Sequence, residues 1–338
     1  LDIRSHYLYG RYRKLERGIP QTKWPCRACK GRGCEKCDNT GLQYKSSVQG
    51  LIGDPLLEMF GSDEHAFHGM GREDIDVRCM GRGRPFVIEM KKPVKRNIDP
   101  EAILQAINSS AKGRIEVSDI RTSNRSEVVR IKDTPAEKSY TIRYKIEAIT
   151  ESELDVLTQV MEIPANNQDR NRRRKNQYRR KKPEPEPEAE VDLSTLNKAE
   201  LVELCIEKGL AKSGTKDTLI ERISSFKEAT LPLPETEYVM EIMTNLQGCT
   251  LAQRTPERVA HRRADKIRKR KVLETSNPSI QIDEDGKMIA EFSLRCESGT
   301  YVKETVHGDS GRTQPSIASL IKAKCTVEWL DVADIHAD

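Results

Sequence analysis

The residues best suited to chemistry lie in one glycine-bounded stretch, 71–78, with the sequence GREDIDVR. It places carboxylates among arginines, and a glycine-rich turn of this kind allows the backbone to approach a ligand closely. Because a neighbouring guanidinium favours the charged form of a carboxylate, we expect an ionised nucleophile or base here and not a proton donor. A salt-bridged surface turn is the alternative interpretation.

Four cysteines form the second chemical signal. Cys26 and Cys29 make one C-x-x-C pair, and Cys34 and Cys37 make another after a short spacer that contains two glycines. Each pair lets two thiolates face one ion from a tight turn, so the four predict a closed tetrahedral site for a structural zinc. Two alternatives stay open. One or both pairs could bind metal together with cysteines that precede this chain, or the motif could serve redox chemistry.

Basic residues are concentrated in segments that suit contact with nucleic acid. Near the N-terminus, Arg11 and Arg13 flank Tyr12, an arrangement that could contact a phosphate backbone and stack on a base, or could be a solvated basic loop. A second stretch, from Arg254 to Lys271, mixes basic residues with a few apolar ones. This mixture suits phosphate contacts, although an exposed helix face would have a similar composition.

Hydrophobic patterning predicts the strands that position these residues. Apolar residues alternate over 84–90, directly after the acidic turn, which places that turn at the mouth of a sheet. A second alternation, over 139–148, has Tyr140 on its apolar face. An Asp-Gly turn at 285–286 predicts a hairpin between two further strands.

Two helices are predicted in the same region. Residues 45–60 have an apolar side and are expected to be interrupted near Gly53 and Pro55. Residues 100–111 form an amphipathic pattern that begins after an Asp99-Pro100 cap.

Composition limits the class of protein. The 338 residues include 36% hydrophobic and 33% charged residues, enough apolar material for a core, and the formal charge is +5. No apolar stretch approaches the roughly 20 residues that span a bilayer, and no signal peptide is found. An odd count of nine cysteines favours a reducing compartment. We therefore expect a cytoplasmic monomer without membrane contact, from which an N-terminal segment is missing because the chain begins at Leu1.

The middle of the chain has a different composition. Residues 163–191 are polar and charged and end in alternating proline and glutamate, which predicts a disordered linker. Helical spacing resumes in 192–227 on both sides of a Ser-Gly-Thr-Lys sequence at 213–216. The residue pattern alone predicts only a small helical hairpin with a basic loop. It resembles the SAP module, a helical unit that commonly binds nucleic acid, and would be an insertion.

The acidic stretch resembles the catalytic-aspartate motif of RNA pseudouridine synthases. The stretches 10–22, 253–263 and 297–320 resemble one family of these enzymes, the archaeal and eukaryotic family that acts on the T-loop of tRNA. The resemblance covers the chain except for about 163–240.

The resemblance implies roles for individual residues. Asp74 is the implied catalytic aspartate, and Lys303, which follows a Gly-Thr-Tyr motif, is its implied basic partner. Tyr140 is implied to stack on the target uracil and Leu320 to line the uridine pocket, while Arg72 is expected to position a phosphate or the flipped backbone. The residues expected to bind substrate are Arg11, Arg13, Arg258, Arg262 and Arg263.

The implied fold is α+β: a pseudouridine synthase catalytic domain with a mixed, largely antiparallel sheet and flanking helices around a basic cleft. The expected segments are a basic lead-in with the zinc knuckle (1–44), a catalytic domain in two parts (45–162 and 228–338), the linker (163–191) and the inserted SAP-like module (192–227).

The expected activity is isomerisation of a T-loop uridine, at tRNA position 54, 55 or both, to pseudouridine. No organic cofactor is expected, because an isomerisation needs none and no nucleotide-binding fingerprint is found. The expected partner is the T-arm of tRNA, with a possible further nucleic-acid contact through 192–227. Two other classes stay open: a non-catalytic tRNA- or RNA-binding protein, and a DNA-binding factor that acts through the SAP-like module.

Overall fold

The structure of the chain, a computed structural model, describes residues 4–159, 161, 193–226 and 228–337. It divides into two compact units, one of residues 1–161 with 232–338 and one of residues 162–231. The linker predicted over 163–191 lies outside the described residues.

The first unit is built on a mixed sheet with flanking helices. Its strands are β1 (His6–Lys14), β2 (Glu64–Gly69), β3 (Arg78–Lys91), β4 (Ile115–Ser123), β5 (Glu137–Glu147), β6 (Thr250–Arg254), β7 (Ile267–Ile282), β8 (Met288–Cys296), β9 (Thr313–Gln314) and β10 (Lys324–His336). Their order is β4-β1-β3-β10-β5-β8-β7-β6-β9, and β2 also pairs with β3. Among these pairings only β3 with β10 is parallel, so the predicted mixed, largely antiparallel sheet is confirmed.

The helices of the described residues fall on both units. They are α1 (Val48–Phe60), α2 (Pro100–Ala111), α3 (Arg125–Asp133), α4 (Glu151–Thr158), α5 (Lys198–Glu207), α6 (Lys216–Ser225), α7 (Thr236–Asn245), α8 (Glu257–Ala260), α9 (Val302–His307) and α10 (Ile317–Ile321). Within the described residues, no helix is both long and apolar enough to cross a membrane.

Strand β3 shows that the sheet is covered on both faces. Val87 packs into a core shared with α3, α7, α9 and α10, whereas Phe86 and Ile88 pack into a second core with α1 and α2. The strand predicted over 84–90 is therefore confirmed, and both of its faces are buried. Such a strand holds the loop that precedes it against a rigid support.

The second predicted strand and the predicted hairpin are also confirmed. In β5, Ile142, Tyr144 and Ile146 are buried, as the alternation predicted. Strands β7 and β8 pair antiparallel across the turn at 285–286. Helix α2 begins at Pro100, and the Asp99 side chain accepts a hydrogen bond from the backbone of Glu101.

The predicted interruption of the first helix is wrong. Helix α1 runs unbroken from Val48 to Phe60 with Pro55 inside it, and the Ser47 side chain caps it by accepting from the backbone of Gly50. Gly53 serves packing instead, since a Cβ atom there would lie 2.5 Å from the ring of His65. Burial of one face of α1 in the second core outweighs the hydrogen bond lost at proline.

The basic segment at the N-terminus is not a loop. Residues 10–14 belong to β1, and Tyr12 is fully buried, so its ring is not available to stack on a nucleic-acid base. The expectation that Tyr12 contacts nucleic acid is therefore wrong, because the aromatic ring fills the second core between Phe67 and Phe86.

The second unit contains the predicted helical hairpin. Helices α5 and α6 enclose a small core of Leu201, Cys205, Leu219 and Ile223. Asn197 caps α5 and Thr215 caps α6, each by accepting a backbone hydrogen bond. The loop between the helices is held by Arg222, which donates to the carbonyl of Ser213 at 3.1 Å.

Replacement of Gly53 by alanine tests the packing explanation for α1. We expect Gly53→Ala to lower the free energy of unfolding by about 1–3 kcal/mol, because the new methyl group meets a buried imidazole. Urea unfolding can be followed by tryptophan fluorescence, since both tryptophans, Trp24 and Trp329, lie in the first unit. The matched control is Gly50→Ala in the same helix, where the nearest atoms are 3.2 Å away on flexible side chains. Equal stability of the two variants would contradict the explanation.

Candidate active site

The stretch 71–78 is a loop that leads into β3 and sends neighbouring carboxylates in different directions. Glu73 is buried, whereas the Asp74 side chain is 37% exposed. Asp74 faces a cavity of about 410 Å³ that Arg72 and Tyr140 also line. Glu73 also borders this cavity, but its side chain is buried, so the loop offers Asp74 as its accessible carboxylate there and is anchored by Glu73.

Asp74 is paired with Arg258, which is itself held from behind. Arg258 Nη1 donates to Asp74 Oδ2 at 2.9 Å, and Arg258 Nε donates to Glu304 Oε1 at 2.6 Å. The Glu304 side chain is fully buried. Although burial lowers the pKa of Arg258, the hydrogen bond and charge of Glu304 and the charge of Asp74 raise it above its ordinary value. Arg258 is thus a fixed cation that orients Asp74.

The predicted ion pair between Lys303 and Asp74 is wrong. Lys303 Nζ lies 2.7 Å from Asp76 Oδ2 and pairs with that carboxylate instead. Although burial raises the pKa of Asp76, the hydrogen bond and charge of Lys303 lower it. Lys303 still lines the cavity beside Asp74. The motif could not distinguish two carboxylates that are two positions apart in one loop.

A buried polar network supports the loop from below. Arg84 Nε lies 2.8 Å from Glu73 Oε2, and neither side chain is more than 1% exposed. The Tyr12 hydroxyl donates to Glu73 Oε1 at 2.8 Å, and Gln21 Nε2 donates to the Gly71 carbonyl at 3.0 Å. Because buried charges must be paired and hydrogen-bonded, this network permits few positions for the loop.

A buried lysine fixes the backbone of the loop at Asp74. Lys14 Nζ donates to the carbonyls of Asp74, at 3.2 Å, and Ile75, at 3.1 Å. A third bond to the Ile19 carbonyl, at 2.9 Å, uses its remaining donor. Lys14 therefore positions the peptide of Asp74 without reaching the cavity.

The cavity wall combines basic and apolar groups. Seven residues of the predicted site line it: Arg72, Asp74, Tyr140, Arg258, Arg262, Arg263 and Lys303. Its apolar lining is Val77, Val259, Val302, Leu330 and Val332. Burial raises the pKa of Tyr140 above its ordinary value, so the phenol stays neutral. The Arg72 guanidinium lies 5.1 Å from the centre of the Trp24 ring, a cation–π contact at the cavity rim.

Three predicted site residues lie elsewhere. Leu320 does not line the cavity; it packs against the first core from α10, and Leu330 takes the place expected for it. Arg11 and Arg13 line a separate cavity of about 370 Å³. Arg11 donates to the Gly83 carbonyl at 3.1 Å, and Arg13 pairs with Glu116. Strand alternation puts both arginines on the face of β1 opposite to Tyr12, and neither lines the cavity of Asp74.

Several residues that shape the site were not predicted from the sequence. Glu304, Arg84 and Lys14 act from buried positions, and Lys138 lines the cavity two residues before Tyr140. Their common signal is a charged residue inside an otherwise apolar strand or helix pattern. That signal indicates a buried charge but does not name its partner.

The four cysteines of the knuckle converge. Their Sγ atoms all lie within 4.8 Å of one another, so the set can hold a metal ion such as zinc. Gly31 and Gly33 have φ of +90° and +91°, the left-handed conformation that lets the chain reverse between the pairs. Although burial raises it, backbone hydrogen bonds from Gly33 and Gly31 lower the pKa of Cys29 to about 7. The four ligands thus come from within the chain.

Comparison with known proteins gives a family match over most of the chain. The family model described as "Pus10, C-terminal" matches residues 7–210 and 220–336.

Similar curated proteins come from archaea and carry one name, tRNA pseudouridine synthase Pus10. Those of Methanothrix thermoacetophila and Methanothermobacter marburgensis are each 36% identical over 335 residues, covering 99% of this chain and 54% and 61% of the relative. That of Korarchaeum cryptofilum is 30% identical over 338 residues, covering all of this chain and 67% of the relative. The chain thus spans about half to two thirds of the length of these relatives.

Removal of one member of the buried ion pair tests its structural role. We expect Arg84→Met to lower the free energy of unfolding by about 3–5 kcal/mol, because Glu73 is left as an uncompensated buried charge. Urea unfolding followed by tryptophan fluorescence measures this in the first unit. The control is Tyr12→Phe, which removes the hydroxyl that donates to the Glu73 carboxylate but keeps the ion pair and should cost about 1.5–3 kcal/mol, the usual range for a hydrogen bond to a charged group. A loss in Arg84→Met no larger than in the control would contradict the assigned role.

Proposed function

Because the chain belongs to the Pus10 C-terminal family, we propose that it carries the catalytic centre of a cytoplasmic tRNA pseudouridine synthase. Its substrate is a uridine of the tRNA T-loop, at position 54, 55 or both. The observation that carries the proposal is the shared cavity, in which Asp74, held by Arg258, faces the same space as the neutral phenol of Tyr140.

Asp74 is the reactive carboxylate in this proposal. The target uridine is extruded from the loop and enters the cavity, where Tyr140 stacks on the uracil. Asp74 attacks the ribose or takes a proton from it, and the glycosidic C–N bond breaks. The uracil rotates and forms a C–C bond to the ribose, while the bond between Asp74 and the ribose breaks or the ribose regains the proton that Asp74 took. The proton at the new attachment carbon is lost, and the freed ring nitrogen gains one. No oxidant, reductant or nucleotide is consumed.

The surrounding charges hold and orient Asp74 throughout. Arg258, fixed by buried Glu304, keeps the carboxylate in one orientation, and Lys14 fixes the peptide behind it. Because these partners are in place before RNA binds, little reorganisation accompanies the reaction. Lys303 contributes its positive charge from the Asp76 side of the loop.

The RNA backbone is proposed to cross the basic rim of the cavity. Arg262 and Arg263 are exposed there, and Arg72 lies at the same rim. Guanidinium groups suit phosphate oxygens, and each contact releases counterions, so affinity should fall as salt rises. We propose the T-arm as the segment bound, and the helical hairpin of α5 and α6 as a SAP-like module that adds a further nucleic-acid contact.

We propose that the cysteine cluster holds a structural zinc. In a tetrahedral site with Zn–S bonds of about 2.3 Å, neighbouring sulfurs lie about 3.8 Å apart. Three separations are close to that value, 4.0 Å for Cys26 and Cys34, 3.9 Å for Cys29 and Cys37, and 3.7 Å for Cys34 and Cys37, and all four sulfurs lie within 4.8 Å of one another. With four thiolates the site has no open position, so the ion stabilises the fold and takes no part in the reaction.

Product mapping tests the reactive carboxylate. We expect the intact protein to form pseudouridine in the T-loop of an unmodified tRNA transcript, read by carbodiimide primer-extension stops, without any cofactor. Asp74→Asn should reduce the rate by at least about 10⁴-fold and leave tRNA binding largely intact, because only the reacting group is removed.

Asp76→Asn is the matched control, since it lies in the same loop and is also paired with a cation. It should lose far less activity than Asp74→Asn. The reverse order would overturn the assignment. If the unaltered protein binds tRNA in a salt-sensitive manner but forms no product, a non-catalytic RNA-binding protein is favoured. If activity is lost only when residues 192–227 are deleted, the SAP-like module is the functional part.

Metal analysis tests the cysteine site. We expect about one zinc ion per chain, and we expect Cys34→Ser to lower the zinc content and the melting temperature because a closed site loses one of four ligands. The matched control is Cys249→Ser, whose thiol lies outside the cluster. Unchanged zinc content in Cys34→Ser would contradict the assignment.

A further inference from the structure

Among the described residues, Lys138 differs from the other buried or half-buried cations of the cavity wall because it has no carboxylate partner. The other cations buried or half-buried in the wall are paired: Arg84 with Glu73, Arg258 with Glu304 and Asp74, and Lys303 with Asp76. Among the described residues, the hydrogen bond of Lys138 Nζ is to the Ala136 carbonyl at 3.1 Å. An ammonium group has three donors, so two remain for a ligand.

The position of Lys138 relates it to the base and not to the RNA backbone. Lys138 and Tyr140 are two residues apart in β5, so their side chains lie on the same face of the strand, the face that buries Ile142 further along. Both line the cavity. Arg262 and Arg263 are exposed at its rim, whereas Lys138 is partly buried.

Lys138 is also close to the loop that carries Asp74. A Cβ atom built on Gly71 would lie 4.0 Å from Lys138 Nζ and 3.3 Å from Arg84 Nη1. Burial, followed by repulsion from Arg84, lowers the pKa of Lys138 to about 8. The lysine is therefore still largely protonated at neutral pH, and an acceptor brought by a ligand would stabilise that form.

We propose that Lys138 is a specificity residue that donates a hydrogen bond to a carbonyl oxygen of the base stacked on Tyr140. The inference rests on the proposed function, since it takes a flipped uridine as the occupant of the cavity. Uracil offers a carbonyl acceptor at the ring position where cytosine has an amino group, which is a donor. An ammonium group can only donate hydrogen bonds. Lys138 therefore favours binding of uracil and disfavours binding of cytosine at that edge of the base.

Binding measurements in a protein that cannot turn over test the proposal. In the Asp74→Asn background, the intact protein binds two tRNA transcripts that differ only in uridine or cytidine at the target position. We expect the uridine transcript to bind roughly 10- to 100-fold more tightly, because a hydrogen bond to a charged donor is made in one case and opposed in the other. Adding Lys138→Met should abolish most of this preference, and Lys138→Gln, whose amide can donate or accept, should leave an intermediate one.

The matched control is Lys145→Met, the same substitution in the same strand but on the opposite face, where the lysine pairs with Glu328. It should keep the full preference, and thermal melting should show that both methionine variants are folded. Equal weakening of both transcripts by Lys138→Met, with a smaller salt dependence, would identify a phosphate contact and overturn the proposal. The proposal would also be overturned if Lys138→Met left the uridine preference unchanged, or if the protein with Lys138 intact showed no preference between the two transcripts.

Failure of the proposed function would be seen separately. Pseudouridine formation by the protein with Asp74 intact reports the reaction, whereas the uridine preference reports the contact of Lys138. If the uridine preference depends on Lys138 but no pseudouridine is formed, the proposed recognition by Lys138 is supported and the proposed isomerase activity is rejected.

Discussion

The buried ion pair between Glu73 and Arg84 constrains the rest of the site. Both charges are out of contact with water, so they must remain paired, and Arg84 also donates to the Met70 carbonyl at 2.7 Å. The loop between β2 and β3 is therefore folded back onto β3. With Glu73 directed inward, the next residue, Asp74, is free to face the cavity. The position of the Asp74 carboxylate follows from the burial of its neighbour.

The opposite wall of the cavity uses the same arrangement. In α9, Glu304 is directed inward and holds Arg258, while its neighbour Lys303 is directed outward to Asp76. On each wall a buried carboxylate adjoins a residue that lines the cavity. Since the buried members are fixed by packing and by charge-assisted hydrogen bonds, the exposed members are oriented without relying on their own flexible side chains.

Local patterns in the sequence predicted features that lie within one helix, strand or loop. They did not predict contacts between residues of two such elements. Alternation identified β3 and β5, and the thiolate spacing identified the cysteine cluster, because each signal lies within a few residues. The pairing of Asp74 with Arg258 spans 184 positions, and no periodicity carries information over that distance. The same reason explains Tyr12, whose arginine neighbours suggested a basic loop although its partner, Glu73, is 61 positions away. Leu320 was assigned to the cavity from the family resemblance, but the apolar residue that lines the cavity near the end of the chain is Leu330.

The charge balance of the cavity argues that it is built for an anionic, acceptor-rich ligand. Arg258, Asp74 and Glu304 form a group with an excess of one negative charge. Around it, four cations have no ion-pair partner among the described residues: Arg72, Lys138, Arg262 and Arg263. Unpaired cations close together destabilise the free protein, since they repel one another and gain nothing from a counter-charge. In the proposed complex, phosphate and carbonyl oxygens would supply the missing partners, so binding would offset the cost of leaving these cations unpaired in the free protein.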